Sequence, residues 1–283
     1  MMAFFLALLL SLLPDPLAEQ VAGSLTLLEG SLTLIRGTTV YQGVEGIHLK
    51  RGDILETSPG SFAQLEFAGG VVALGPATRL YILPASGTST AHPISLDLIM
   101  LNGWLKLETA GAQGLYRFRT PLLAVTTADG TVVVRGNSTA CDIFIESGGS
   151  TSLSEVNSSG DGGLPTQGKA GQFISRQRGT PVSMAARPSS AFLDSMPRQF
   201  RDTLPPRQER FSNMPVAAKA QHPVSFDEIE PWLKAPSTWR RGLAERFSSR
   251  LSDSNFREQI EGHLREFPEW DPILHPKKTS DSP

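Results

Sequence analysis

One thiol, five imidazoles and three strand-borne carboxylates are the groups in this sequence best placed to do chemistry. Cys141 lies in an alternating run with Ile143 and Ile145 on its face and Asp142, Phe144 and Glu146 on the other. A thiol on an apolar strand face is a core residue, inert because burial disfavours the thiolate. The histidines, at 48, 92, 222, 263 and 275, are scattered. His263 and His275 flank Glu266, Glu269 and Asp271, which invites a metal reading. Yet the two are not i, i+3 or i, i+4 neighbours, and Pro268 and Pro272 interrupt any helix between them. They read as solvated polar positions at a helix end, and neither metal nor cofactor is expected. Glu66, Asp97 and Glu108 all fall in strands, where a glycan-cleaving pair would need a separation of about 5 to 10 Å. Glu66 alternates with Gln64, and Glu108 with Lys106, so both read as solvent-face residues. No GxSxG elbow and no GxxxxGK[ST] loop occurs. The expectation is a protein without catalytic residues, with a carbohydrate-active enzyme as the weakest alternative.

Recognition is better supplied. Arg240, Arg241, Arg246 and Arg250 stand against Glu245 alone, with Trp232 and Trp239 close by and Trp270 further on. A basic helix carrying aromatics can meet anionic lipid, an acidic partner or peptidoglycan. The blander account makes the tryptophans a small helical core and the arginines solvated. Trp232, Trp239, Arg240, Arg241, Arg246 and Arg250 form the candidate partner-binding set. Nucleic acid is not an expected partner, because 26 basic and 28 acidic residues leave a net charge of −2.

The elements that must position these groups are mostly short strands. Phe62 to Phe67 alternates, with Ala63, Leu65 and Phe67 on one face and Gln64 and Glu66 on the other, the mark of a strand buried on one side. Similar runs punctuated by Gly, Pro or Ser fill most of the chain to Arg176, and the turn dipeptide Asn102-Gly103 predicts a strand pair around it. Around fourteen such strands argue for a mainly β domain over residues 21–180, as a β-solenoid or a sandwich. A degenerate repeat favours the solenoid, since Gly30-Ser31-Leu32-Thr33-Leu34 is similar to Gly103-Trp104-Leu105-Lys106-Leu107.

Between Pro181 and Pro223 seven prolines forbid a helix of ordinary length. Residues 181–225 therefore read as a linker, or a strap with Phe192, Phe200 and Phe211 as anchors. Helical periodicity begins in residues 226–278. Trp239, Leu243, Phe247 and Leu251 recur every four residues, as do Phe256, Ile260, Leu264 and Phe267, with Ser252, Asp253 or Ser254 as cap. Two helices in a hairpin, stripes facing, are expected. At the other end, Ala3 to Leu13 is apolar apart from Ser11. Eleven helical residues span roughly 16 Å, half a hydrocarbon core, so residues 1–20 read as a secretory signal peptide and no membrane span is expected.

Several stretches in order resemble the FecR domain, the extracytoplasmic module of bacterial iron-transport regulators and other envelope proteins. They are Arg51 to Thr57, Ala63 to Gly70, Leu74 to Leu80, Phe118-Arg119-Thr120-Pro121, Gly130 to Val134, and Gly171-Gln172-Phe173. Together they cover about Leu25 to Arg176, and Phe226 to Lys278 resembles the tail of uncharacterised FecR-domain proteins of proteobacteria. The resemblance implies a β-solenoid-like fold outside the cytoplasm, used for binding or sensing. The family's regulators resemble anti-sigma factors with a cytoplasmic helical domain and a spanning helix, and the twenty residues before the first strand hold neither. The expectation is therefore a periplasmic or secreted binding or assembly protein that meets a protein or cell-wall partner. A soluble periplasmic sensor related to FecR-type anti-sigma systems is the alternative.

Overall fold

A computed structural model describes residues 21–84, 94–109, 114–149, 151–211 and 216–276. The expected signal peptide lies outside the described residues. In chain order the strands are β1 (Val21–Glu29), β2 (Leu32–Arg36), β3 (Thr39–Gln42), β4 (His48–Lys50), β5 (Ile54–Thr57) and β6 (Phe62–Phe67). They continue as β7 (Gly70–Leu74), β8 (Arg79–Ile82), β9 (Ile94–Thr109), β10 (Leu115–Arg119), β11 (Leu123–Thr127) and β12 (Gly130–Gly136). The last are β13 (Ala140–Ser147), β14 (Thr151–Glu155), β15 (Thr166–Gly168), β16 (Phe173–Gln177), β17 (Ser183–Ala185) and β18 (Lys219–Pro223).

These strands form two sheets. One runs β4-β1-β6-β7-β9-β12-β13-β16-β17. The other runs β18-β3-β2-β5-β8-β9-β10-β11-β14-β15. Every named pairing is antiparallel except β9 with β10. The chain passes back and forth between the sheets as it advances along them, which is why its sequence carries a solenoid-like rhythm. The mainly β expectation holds, in its sandwich-like form.

The expected strand pair around Asn102-Gly103 is instead one strand, β9. Its first half pairs in the second sheet with β8 and β10, and its second half in the first sheet with β7 and β12. Gly103 takes φ +109 at the crossing, where any Cβ would overlap Thr78. Thr78 Oγ1 accepts from Trp104 N at 3.0 Å, so a side chain replaces the turn hydrogen bond that a hairpin would use.

Three apolar layers follow from strict alternation. Leu65, Val72, Leu107, Val134 and Ile143 point between the sheets. Val71, Ala73 and Val133, the odd members of the same strands, point outward from the first sheet and meet Phe192, Phe200 and Leu204. Ile54, Tyr81 and Ile99 point outward from the second and meet the C-terminal helices. Burial on both faces explains near-continuous apolar runs such as Gly70–Leu74. It also corrects the reading of β6 as half-exposed, because all six of its residues are buried.

The cover of the first sheet is the Pro-rich strap, with helix α1 (Ser190–Ser195) and single 3-10 turns at Arg198–Phe200 and Gln208–Phe211. Phe192 and Phe200 are fully buried, as expected of its anchors, and Phe211 is half-buried. The segment is more structured than a linker, since β17 and β18 pair with β16 and β3. The cover of the second sheet comprises α2 (Phe226–Leu233), α3 (Ser237–Arg240), α4 (Leu243–Phe247), α5 (Ser254–Gly262) and α6 (Asp271–Leu274). The expected four-turn helix over Trp239 to Leu251 is broken at Gly242, which takes φ +85, and ends in a 3-10 turn. Its stripe survives, but Trp239, Leu243, Phe247 and Leu251 join a core that includes the sheet residues Ile35 and Val40. Docking onto the sheet replaces the expected helix-on-helix hairpin. Asp253 caps α5, accepting from Phe256 N at 3.0 Å. No helix among the described residues is long and apolar enough to cross a membrane.

Candidate ligand cleft

With both broad faces covered, a cleft of about 780 Å³ remains open. It lies where the helical cover meets the turns at one rim of the sandwich. Pro121 and Leu122 follow β10, Asn137 and Ser138 join β12 to β13, and Asn157 and Ser158 follow β14. Arg176, Arg178 and Gly179 end β16, and Pro231, Lys234 to Ser237 and Arg240 form the opposite wall. Its volume is within the usual range for a small-molecule or peptide-anchor site, about 300–1,000 Å³.

The two walls are locked together at Trp239. Thr238 donates from N and from Oγ1 to Ser159 O, at 3.0 and 2.6 Å. Trp239 Nε1 donates to Gly160 O at 2.9 Å. The loop beyond β14 is preformed to accept these bonds, because Asn157 Oδ1 takes the N–H groups of Ser159 and Asp161. Gly160 sits at φ +94, and a Cβ there would stand 2.6 Å from Trp239 Nε1.

Five cations line the cleft: Arg79, Arg176, Arg178, Lys234 and Arg240. Among the described residues, no Asp, Glu, His, Cys or Tyr lines it. Four of the cations are braced by carboxylates that are not part of the lining. Arg79 pairs with Glu56 at 3.2 Å, Arg176 with Glu155 at 2.9 Å, Lys234 with Glu230 at 2.8 Å and Arg240 with Glu269 at 2.7 Å. The hydrogen bond that Lys234 donates to Glu230 raises the pKa of its ammonium. Backbone carbonyls fix three of the five: Arg176 Nη1 donates to Leu122 O, Arg178 Nε and Nη2 to Ser138 O, and Arg240 Nη1 to Leu233 O. The cations are thus held in place before any ligand arrives, the arrangement that lowers the cost of binding.

Of the six residues expected to bind a partner, only Arg240 reaches this cleft. Trp232 and Trp239 are buried, Trp232 edge-on to Tyr81 and donating to Glu56 at 3.3 Å. Arg246 donates to Gly37 O, Gly52 O and Ile35 O, stitching α4 to two turns of the sheet. Desolvation there lowers its pKa, against the pull of Tyr81 and Asp53. Arg250 donates to Val224 O at 2.8 Å and pairs with Asp253. Arg241 is exposed. The basic aromatic stretch is therefore chiefly an internal docking surface, since guanidinium groups reach back to carbonyls left open by the turns. Arg79, Arg176, Arg178 and Lys234 were missed. The spacing Arg176-Gln177-Arg178 at a strand end was the available signal.

The strand carboxylates are structural as well. Glu66 and Glu108 do not face solvent, because the strap covers them. Glu66 accepts from Thr26 Oγ1 at 2.7 Å and from the backbone N–H groups of Arg207 and Gln208 at 2.6 and 3.0 Å. Glu108 accepts from Leu204 N at 3.0 Å. Lys106, also buried, donates to Phe200 O and Asp202 O at 2.9 Å each and pairs with Glu108 and Glu146. Asp97 is held by Arg117 and by Arg119 at 3.0 Å. Cys141 is fully buried, and desolvation pushes its thiol up to about 12 despite the bond from Thr120. His263 stacks against both Phe226 and Phe267, with ring centroids 5.4 and 6.0 Å away.

No protein-family model matches the chain, and no curated protein does. Two crystal structures of a candidate anti-sigma factor from Parabacteroides distasonis are similar to it. One is 13% identical with a TM-score of 0.39, over 47% of this chain and 59% of that one. The other is 14% identical with a TM-score of 0.40, over 50% and 64%. The chain spans about three fifths of the length of those structures. Likeness at this level leaves function to be argued from the site.

Proposed function

We propose that this chain is a non-enzymatic binding module of the bacterial envelope, acting outside the cytoplasm, with the cationic cleft as its binding surface. The observation that carries the reading is the lining. Five braced cations converge with no carboxylate, imidazole or thiol among them to serve as general acid, base or nucleophile. The sandwich acts as the platform, the strap and helices close its faces, and the remaining rim is free for a protein or cell-wall partner. The order of motifs that resembles a FecR domain supports the extracytoplasmic setting, as does the apolar leader.

A second reading is a soluble periplasmic sensor in a pathway related to FecR-type anti-sigma systems. Its support is the same motif order together with a cleft built between the sandwich turns and the helical cover, where a ligand could alter what the helical side presents. Formaldehyde cross-linking in intact cells tests the first reading. A partner captured by the wild-type chain should be lost when Arg178 and Lys234 are both changed to Glu. Capture that survives the double change, or a chain recovered unprocessed from the cytoplasm, would overturn it. The sensor reading adds a transcriptional response to deletion, and an unchanged transcriptome under envelope stress or iron limitation would remove it.

A further inference from the structure

The lining of the cleft also says what kind of ligand it takes. This inference rests on the binding reading above and narrows it to a chemical class. The cations fall on two walls. Arg176 and Arg178 belong to the end of β16, while Lys234 and Arg240 belong to the segment that follows α2. Leu122 and Val156 on the sandwich side, and Ala235 and Pro236 on the helical side, supply apolar lining beside them. The carboxylates that brace these cations do not line the cleft, so the charged groups a ligand would meet there are all cationic, among neutral Asn and Ser side chains and apolar lining. Among the described residues Arg178 pairs with no carboxylate, and no hydrogen bond engages its Nη1 while Nε and Nη2 hold Ser138 O. Arg240 lies in an ion pair with Glu269 at 2.7 Å and donates from Nη1 to Leu233 O, and no hydrogen bond among the described residues engages its Nη2. Each wall therefore keeps at least one guanidinium donor uncommitted.

We propose that the cleft binds a small amphipathic dianion, two carboxylate or phosphate groups joined by a short apolar body, with one anionic group on each wall. A planar guanidinium presents paired donors that match either oxyanion, and the apolar lining accommodates the body between them. A neutral molecule of the same shape would leave the free donors unanswered. A monoanion would answer only one wall.

Isothermal titration of the purified full chain with suberate, octanoate, 1,8-octanediol and hexane-1,6-diphosphonate tests this. Suberate is expected to bind at least ten-fold more tightly than octanoate, and the diol not measurably, because each charge-assisted contact is worth a factor of ten or more. The diphosphonate, with the same six-carbon body between its anionic groups, separates the sources: binding tighter than suberate assigns the site to phosphate-type groups, and weaker binding to carboxylates. Arg178→Gln and Lys234→Gln, both at exposed positions, should each weaken the dianion about ten-fold without moving the thermal midpoint. Equal affinity for octanoate and suberate, or dianion binding unaffected by both substitutions, would overturn the proposal. If no probe binds while in-cell capture still depends on Arg178 and Lys234, the ligand class falls and the binding module stands. If capture fails too, both fall.

Discussion

Replacing Lys106 by Met is the sharpest perturbation of the way the strap is held. The ammonium is 3% exposed and donates to Phe200 O and Asp202 O, two carbonyls of a segment that has almost no regular structure of its own. Met fills a similar volume but leaves both carbonyls and the carboxylates of Glu108 and Glu146 without their cation. Charge-assisted hydrogen bonds contribute about 1.5–3 kcal/mol each, and breaking a buried pair costs about 3–5 kcal/mol in all. Detachment of the strap limits the loss, because water then reaches the stranded groups. The expected result is therefore local: a drop of about 3 kcal/mol in the stability of the strap, with the sandwich between its sheets kept. Hydrogen exchange reads this by residue. The amides of Leu204, Arg207 and Gln208, which donate to Glu108 and Glu66, should lose protection, while those of β12 paired with β9 keep it. Unchanged strap amides with a loss below about 1 kcal/mol, the scale of a surface pair, would refute the reasoning.

Other outcomes follow from the same geometry. Gly160→Ala should loosen the helical cover, because Cβ would meet Trp239 at a φ that costs about 1 kcal/mol or more for alanine, and Trp239 fluorescence during urea unfolding reads it. Arg246→Met should destabilise the chain by several kcal/mol, on the order of 3, since three carbonyls lose one donor, and denaturant midpoints measure it. The helical cover should weaken in acid. Burial alone would raise Glu228, but bonds from Ser225 and His222 outweigh it and hold the carboxyl below its ordinary 4.5. The bond from Phe256 N, with Arg250, holds Asp253 below 3.8. Groups depressed in this way stabilise the fold above their unfolded values and lose that contribution as pH falls through the folded ones. Helical circular dichroism should therefore decline below about pH 4.5 before the β signal does. Cys141 should resist alkylation by iodoacetamide at neutral pH until the chain unfolds.

Local patterns carried much of the fold. Alternation located the strands, Gly52-Asp53 marked a corner where Asp53 is clamped by Arg36, and the phenylalanines of the Pro-rich segment marked its anchors. Alternation states only that two faces differ. It could not say that the polar row of Gln64, Glu66, Lys106 and Glu108 was made to bind backbone about a hundred residues later, because that partner is distant in sequence. The arginines of the tail misled for the same reason, since charge along a helix does not show which carbonyls lie within reach. The cleft was invisible in one dimension. Asn137, Arg178 and Lys234 meet only after two sheets and a helical cover have stacked.

On this reading the rim cleft, and not the covered faces, meets the partner. A photo-cross-linking residue placed at Ser237, which lines the cleft, and separately at Leu193, which is exposed on the strap, tests it in living cells. A single discrete adduct is expected from position 237 and none from position 193. Adducts from 193 alone, or the same adducts from both positions, would contradict it.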